Sequence, residues 1–210
     1  MACSPEGTSP ILEFEKEEDV VYDVTKDLPV EIDVEDTGSL DGLGERLAQE
    51  EYDIIHLSGH ADIDEQGVPF FWMEDEEGLP VKVTPSQLWD KLNLNLPRLL
   101  FLSGCRTGET PPHVAASSFA HHLVVNHCST CLGWGLPVSD TGASFAAKQL
   151  YFDLSRGENI LDAVLSTRRE LFARHKADWS LLRLFSDGMP LSIPLVRKGQ
   201  RRRPKRRDLQ

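Results

Sequence analysis

Two short apolar runs constrain this chain more than any other feature. Residues 52–57 (YDIIHL) and 98–102 (RLLFL) contain no turn residues, and each leads into Ser-Gly followed by a reactive side chain, Ser58-Gly59-His60 and Ser103-Gly104-Cys105. Runs of strand length without polar alternation suit strands buried on both faces, as parallel sheets require. Helical patterns lie between and around them. Leu40, Leu43, Leu47 and Ala48 recur at helical spacing behind Ser39, a good N-cap. Thr84-Pro85 opens a second helix through Leu88, Trp89 and Leu92, with proline at the first helical position. Residues 68–73 and 79–83 flank an acidic, Gly-ended turn at 74–78 and predict a hairpin.

Further along, a helix is expected through Ala115, Phe119, Leu123 and Val124, then a strand near 131–134. Helices follow over about 141–155 and 158–175, and a last strand near 181–185. Residues 29–35 (PVEIDVE) alternate with period two, which predicts a half-buried strand. Residues 11–25 predict an amphipathic helix, and residues 1–3 read as the end of a first strand whose start is truncated. Strands alternating with helices imply an α/β fold with a mostly parallel sheet covered on both faces. No internal repeat appears, which excludes a solenoid.

Composition narrows the function classes. The 210 residues are 40% hydrophobic and 27% charged, ordinary for a soluble globular domain. No apolar run approaches the roughly 18 residues of a membrane helix, and the start lacks a secretory layout. We therefore expect a cytoplasmic protein without a membrane partner. Four cysteines (Cys3, Cys105, Cys128, Cys131) are too few for a disulfide scaffold. The net charge of −12 is uneven: residues 197–210 carry net +7, leaving −19 for the rest. An acidic body repels phosphate backbones, so the core is not expected to bind nucleic acid. The basic tail reads as a solvated linker or terminus, which divides the chain into a domain at 1–196 and a tail at 197–210.

The candidate chemistry lies where both buried runs end, since ligands gather at the carboxyl ends of parallel strands. Neighbouring parallel strands are about 4.8 Å apart, so the loops leaving them can bring His60 and Cys105 together. A cysteine attacks as thiolate, and an imidazole can supply the proton a leaving group needs. The residues alone leave two readings open: a nucleophilic Cys/His pair, or a core histidine beside a small buried cysteine.

Other motifs are weaker. Cys128 and Cys131 have CxxC spacing with His121, His122 and His127 nearby, but no second CxxC is present and the pair enters a strand instead of opening a helix, so neither zinc nor redox chemistry is expected. A phosphatase loop at Cys105 would need arginine six residues on, where Pro111 stands, and there is no GxxxxGK[ST] segment. Asp62, Asp64 and Glu65 lack an EF-hand layout. Phe70, Phe71, Trp72, Trp89, Trp134 and Trp179 are expected to pack in the core, and Arg168-Arg169 to face solvent.

The order of segments carries a resemblance. DIIHLSGH at 53–60, FWMEDEEG at 71–78 and LLFLSGCRTGE at 99–109 resemble the CHAT family of caspase-like cysteine peptidases, relatives of caspases and separase. LGWGLPVSD at 132–140, ASFAAKQLYFDL at 143–154 and WSLLRLFSDG at 179–188 continue the likeness in the same order, over about residues 1–196.

The resemblance implies a caspase-like three-layer α/β/α sandwich with no cofactor and no metal. Cys105 would be the nucleophile, His60 the general acid/base, and the backbone amides of Ala61 and Cys105 the oxyanion hole. Losing one such donor typically raises the barrier by roughly 3–4 kcal/mol. Many members have Gly where this chain has Ala61. Asp140 corresponds to an acidic position near the substrate groove of separase-like relatives and would select a basic side chain before the scissile bond. Against this stands its use as the N-cap of the helix at 141–155. The implied function is a cysteine endopeptidase acting on a protein substrate through a thioester, activated by a partner or fused sensor module. The alternative is a non-catalytic sensor or adaptor in a signalling or defence complex.

Overall fold

The computed structural model describes residues 1–5, 14–104, 115–125, 130–135, 138–174, 177–188 and 190–197. Among them β1 (Ile54–Gly59), β5 (Leu99–Gly104), β6 (Thr130–Trp134) and β7 (Leu182–Ser186) form one sheet in the order β1-β5-β6-β7. The first three run parallel and β7 is antiparallel to β6. A second sheet, β2 (Ala61–Ile63), β3 (Pro69–Glu74) and β4 (Pro80–Val83), is antiparallel and leaves the first just after β1.

Strand alternation explains why residues 99–102 of β5 are apolar without a break. Leu100 and Leu102 face one core, with Leu43 and Leu47 of α2 (Leu40–Gln49), Leu88 and Leu92 of α3 (Pro85–Leu92), and Phe119 and Leu123 of α4 (Ala115–Val125). Leu99 and Phe101 face the other, with α5 (Asp140–Leu154), α6 (Ile160–Arg174) and Val21 and Val24 of α1 (Phe14–Thr25). A sheet buried between two helical layers is the three-layer α/β/α sandwich, and such strands have no polar face to alternate.

Local signals place the helices as the sequence suggests. Ser39 Oγ accepts from Gly42 N at 2.9 Å to start α2. Thr84 and Gln87 form a reciprocal capping box ahead of Pro85 in α3, each satisfying the other's backbone N–H. Residues 1–3 lie parallel beside β1: Ser58 N donates to Met1 O at 3.0 Å and Cys3 N donates to Ser58 O at 2.8 Å.

One expected strand does not form. Residues 29–36 are irregular, with Ile32 and Val34 exposed. Alternation alone cannot make a strand without a ladder to join, and this segment is held by side chains instead. Asp33 accepts from Tyr52 Oη at 2.7 Å, and the buried Glu35 carboxyl accepts from Thr37 N and Gly38 N, each at 3.0 Å. Trp179 also departs from expectation. It is 36% exposed and meets Phe172 edge-on at 5.5 Å on the outer side of α6, with the Arg168 guanidinium 5.7 Å from its ring. Arg168 is accordingly half-buried, while Arg169 faces solvent.

The junction of the two sheets is the tightest point. A Cβ on Gly59 would lie 2.5 Å from Cε1 of Phe71, a ring itself 1% exposed and unable to retreat. Overpacking of this kind typically costs about 1–3 kcal/mol. Gly59→Ala is therefore expected to lower unfolding stability by about that amount, measured by urea denaturation. Phe71→Leu in the same chain should recover part of the loss, because the coupling is between those two side chains.

Candidate active site

The parallel register of β1 and β5 pairs Ser58 with Ser103 and Gly59 with Gly104. In the sequence the residue after β1 is His60 and the residue after β5 is Cys105. His60 lies at the β1–β2 junction and is 4% exposed. Cys105 lies outside the described residues, as does Cys128. A Cβ on Gly104 would come within 3.1 Å of Gly59 O, so glycine at this position allows the strand ends to close together.

Ala61 follows His60 as the first residue of β2. Trp72 N donates to His60 O at 2.8 Å and Asp64 N donates to Val68 O at 2.9 Å. Bonded and non-bonded pairs alternate along an antiparallel ladder, so Ala61, opposite Phe71, is a non-bonded pair. Its N–H is directed away from β3, and a Cβ on Gly104 would lie 3.9 Å from that nitrogen.

Beneath these strand ends is a buried polar cluster that the sequence reading missed. Glu17 of α1 accepts one short hydrogen bond from Ser58 Oγ and another from Ser103 Oγ at 2.7 Å. Its Oε1 is also 3.7 Å from Nε2 of His56. The His56 ring stacks between Phe101 at 4.5 Å and Tyr151 at 5.7 Å. Burial pushes the His56 imidazole down to about 4, against the pull of Glu17 in the other direction. Burial also raises the Tyr151 phenol, with Glu17 adding to that rise. A signal for Glu17 did exist: it shares a helical face with Val21 and Val24, at i, i+4 and i+7, and both valines pack into the core.

Asp140 is the first residue of α5 and is half-buried. The N-cap is Ser139, whose Oγ accepts from Gly142 N at 3.1 Å and donates to Asp178 Oδ2 at 2.7 Å. The capping use weighed for Asp140 is thus corrected by one residue. A hydroxyl can accept the N–H and donate to Asp178 at once, which leaves the Asp140 carboxyl out of the cap. Cys3 and Cys131 are fully buried, and burial raises the Cys3 thiol. Asp64 Oδ1 accepts from Gln66 N and Val68 N at 3.0 and 2.7 Å, tying the β2–β3 turn. Phe70 and Phe71 are buried, and Phe70 meets Trp72 edge-on at 4.9 Å. The ammonium of Lys82 lies 4.4 Å from the Phe70 ring and 5.5 Å from that of Trp72. Among the described residues no group of three His, Cys, Asp or Glu side chains is placed to hold a metal ion, and no helix is long and apolar enough to cross a membrane.

Compared with known families, residues 6–204 match the CHAT domain. The chain belongs to the CHAT domain family. That family is caspase-like and peptidase-related, in keeping with the three-layer sandwich and its mostly parallel sheet. No curated protein matches the chain.

The buried imidazole gives a pH prediction. His56 titrates near 6.5 when unfolded and at about 4 when folded, so the unfolded chain binds more protons between those values. Stability then falls as pH drops from about 6.5 toward about 4, with about 2 kcal/mol of it gone by pH 5. In thermal melts between pH 7 and pH 5, His56→Phe, which keeps a ring against Phe101, should lose less stability than the unsubstituted protein by about that amount.

Proposed function

We propose that this CHAT domain is a cysteine endopeptidase in which Cys105 is the nucleophile and His60 the general acid/base. One observation supports the reading: in a chain of this family, Gly59 and Gly104 are paired at the ends of β1 and β5, and His60 and Cys105 are the residues that follow them in the sequence. The thiolate of Cys105 attacks the peptide carbonyl, and His60 delivers a proton to the departing amine. Water, deprotonated by His60, then hydrolyses the thioester and restores the thiol. The amides of Ala61 and Cys105 stabilise the oxyanion. The direction of the Ala61 N–H, away from β3, supports that role. Asp140 at the start of α5, not used as the cap, serves as the acidic group that meets a basic side chain before the cut.

The protein acts in the cytoplasm and on a protein substrate. Its activity is released by a partner or a fused sensor or signalling module. The near-complete burial of His60 supports such latency, because a substrate must reach that imidazole. Order–disorder changes around active loops are a common means of such control.

At neutral pH, iodoacetamide should alkylate Cys105 well ahead of Cys3, Cys128 and Cys131, as read by peptide mass spectrometry. His60→Ala should remove that lead and lower cleavage of a peptide library by about 100-fold or more. Equal labelling of all four thiols would favour the non-catalytic adaptor. Asp140→Asn should lower the preference for Arg or Lys before the cut by about 10- to 100-fold, the loss expected for one charge-assisted hydrogen bond, with cleavage after neutral residues retained.

A further inference from the structure

The polar cluster under the strand ends has a geometry that core packing does not call for. Ser58 and Ser103 face one another in the β1–β5 register, each two residues before a member of the dyad. Both hydroxyls donate to the same carboxyl group, and that group comes from a third element, α1. The side chain of Glu17 is 11% exposed, and 86 residues separate it from Ser103 along the chain. Parallel strands are otherwise joined only by backbone bonds, which splay most easily at the last pair. Two residues on from Ser58 comes His60, at the β1–β2 junction, and two residues on from Ser103 in the sequence comes Cys105.

We propose that Glu17 is a positioning residue of the peptidase site, a side-chain clamp from α1 that holds the ends of β1 and β5 at the separation the His60–Cys105 pair needs. This rests on the Cys/His reading above and adds a third residue to it. The clamp works through two hydrogen bonds, so an amide in the same place would serve: Gln accepts from one serine through Oε1 and donates to the other through Nε2. Leucine, of similar length, can do neither. The other titratable groups around the cluster are His56 on β1, Tyr151 on α5 and the amino group of Met1, which donates to His56 O at 3.0 Å. Burial favours the neutral form of all three.

The test is the pH dependence of Cys105 alkylation by iodoacetamide, read by mass spectrometry on folded protein. A paired thiol gives a step below the roughly 8.5 of a free cysteine. Glu17→Leu should move that step upward by about one pH unit, a roughly tenfold lower rate on its acid side, while Glu17→Gln leaves it in place. Ser58→Ala combined with Ser103→Ala, which removes the donors and spares Glu17, should move the step as Glu17→Leu does and keeps the test open should the leucine variant not fold. A low step in the unsubstituted protein that neither Glu17→Leu nor the double serine variant moves overturns the clamp alone. An ordinary thiol profile in the unsubstituted protein, unmoved by His60→Ala, overturns the dyad and the clamp together.

Discussion

The pairing of β1 with β5 is the constraint on which the rest of the molecule depends. Both strands are covered on both faces, by helices on either side, and the sheet becomes the middle of three layers. Both end in glycine, so their ends close together beneath Phe71. The chain then turns directly into β2, which begins an antiparallel sheet of its own. The position of His60 is a product of these facts. Its backbone is fixed on one side by β1 and on the other by the Trp72 N–H donated to its carbonyl.

The interior next to that junction is polar by design of the sequence. A buried carboxyl is tolerated only where hydrogen bonds replace the water it gives up, and Ser58 and Ser103 supply two. Apolar residues of similar volume often serve stability as well or better. Packing energy therefore gives little reason for four polar side chains, Glu17, His56, Ser58 and Ser103, to meet between α1 and the sheet. The aromatic faces of Phe101 and Tyr151 hold the imidazole among them in a place where it stays uncharged.

Most of the fold was legible because its signals are local or periodic. The runs at β1 and β5, the Thr84–Gln87 cap, the Ser39 cap and the hairpin of β3 and β4 each follow from a few adjacent residues. What misled was pattern without a partner. Residues 29–35 alternate as a strand does, yet the described sheets have no ladder there for them, and Asp33 and Glu35 fix the segment by side chains. Trp179 was placed inside on hydrophobicity alone, but it covers the outer face of α6 beside Phe172. The cap before α5 was read one residue late, since Ser139 and Asp140 are both good caps and only the contact with Asp178 distinguishes them. Glu17 was passed over among Glu13, Glu15, Glu18 and Asp19, although its helical spacing to Val21 and Val24 marks it as the carboxyl that turns inward. His60 was placed from sequence just past the end of β1, where it lies, but the strand β2 that Ala61 opens was not foreseen; the geometry of Cys105 falls outside the described residues.

Lys82 carries a consequence for how the small sheet meets cations. Its ammonium lies over the rings of Phe70 and Trp72 from the adjacent strand, while the residue itself is exposed. A tethered cation competes at an effective concentration that is millimolar in order for short links. A weakly bound guanidinium or methylated amine from solution would have to evict it first. Neutralising that amine, as acetylation does, would remove its attraction to both rings.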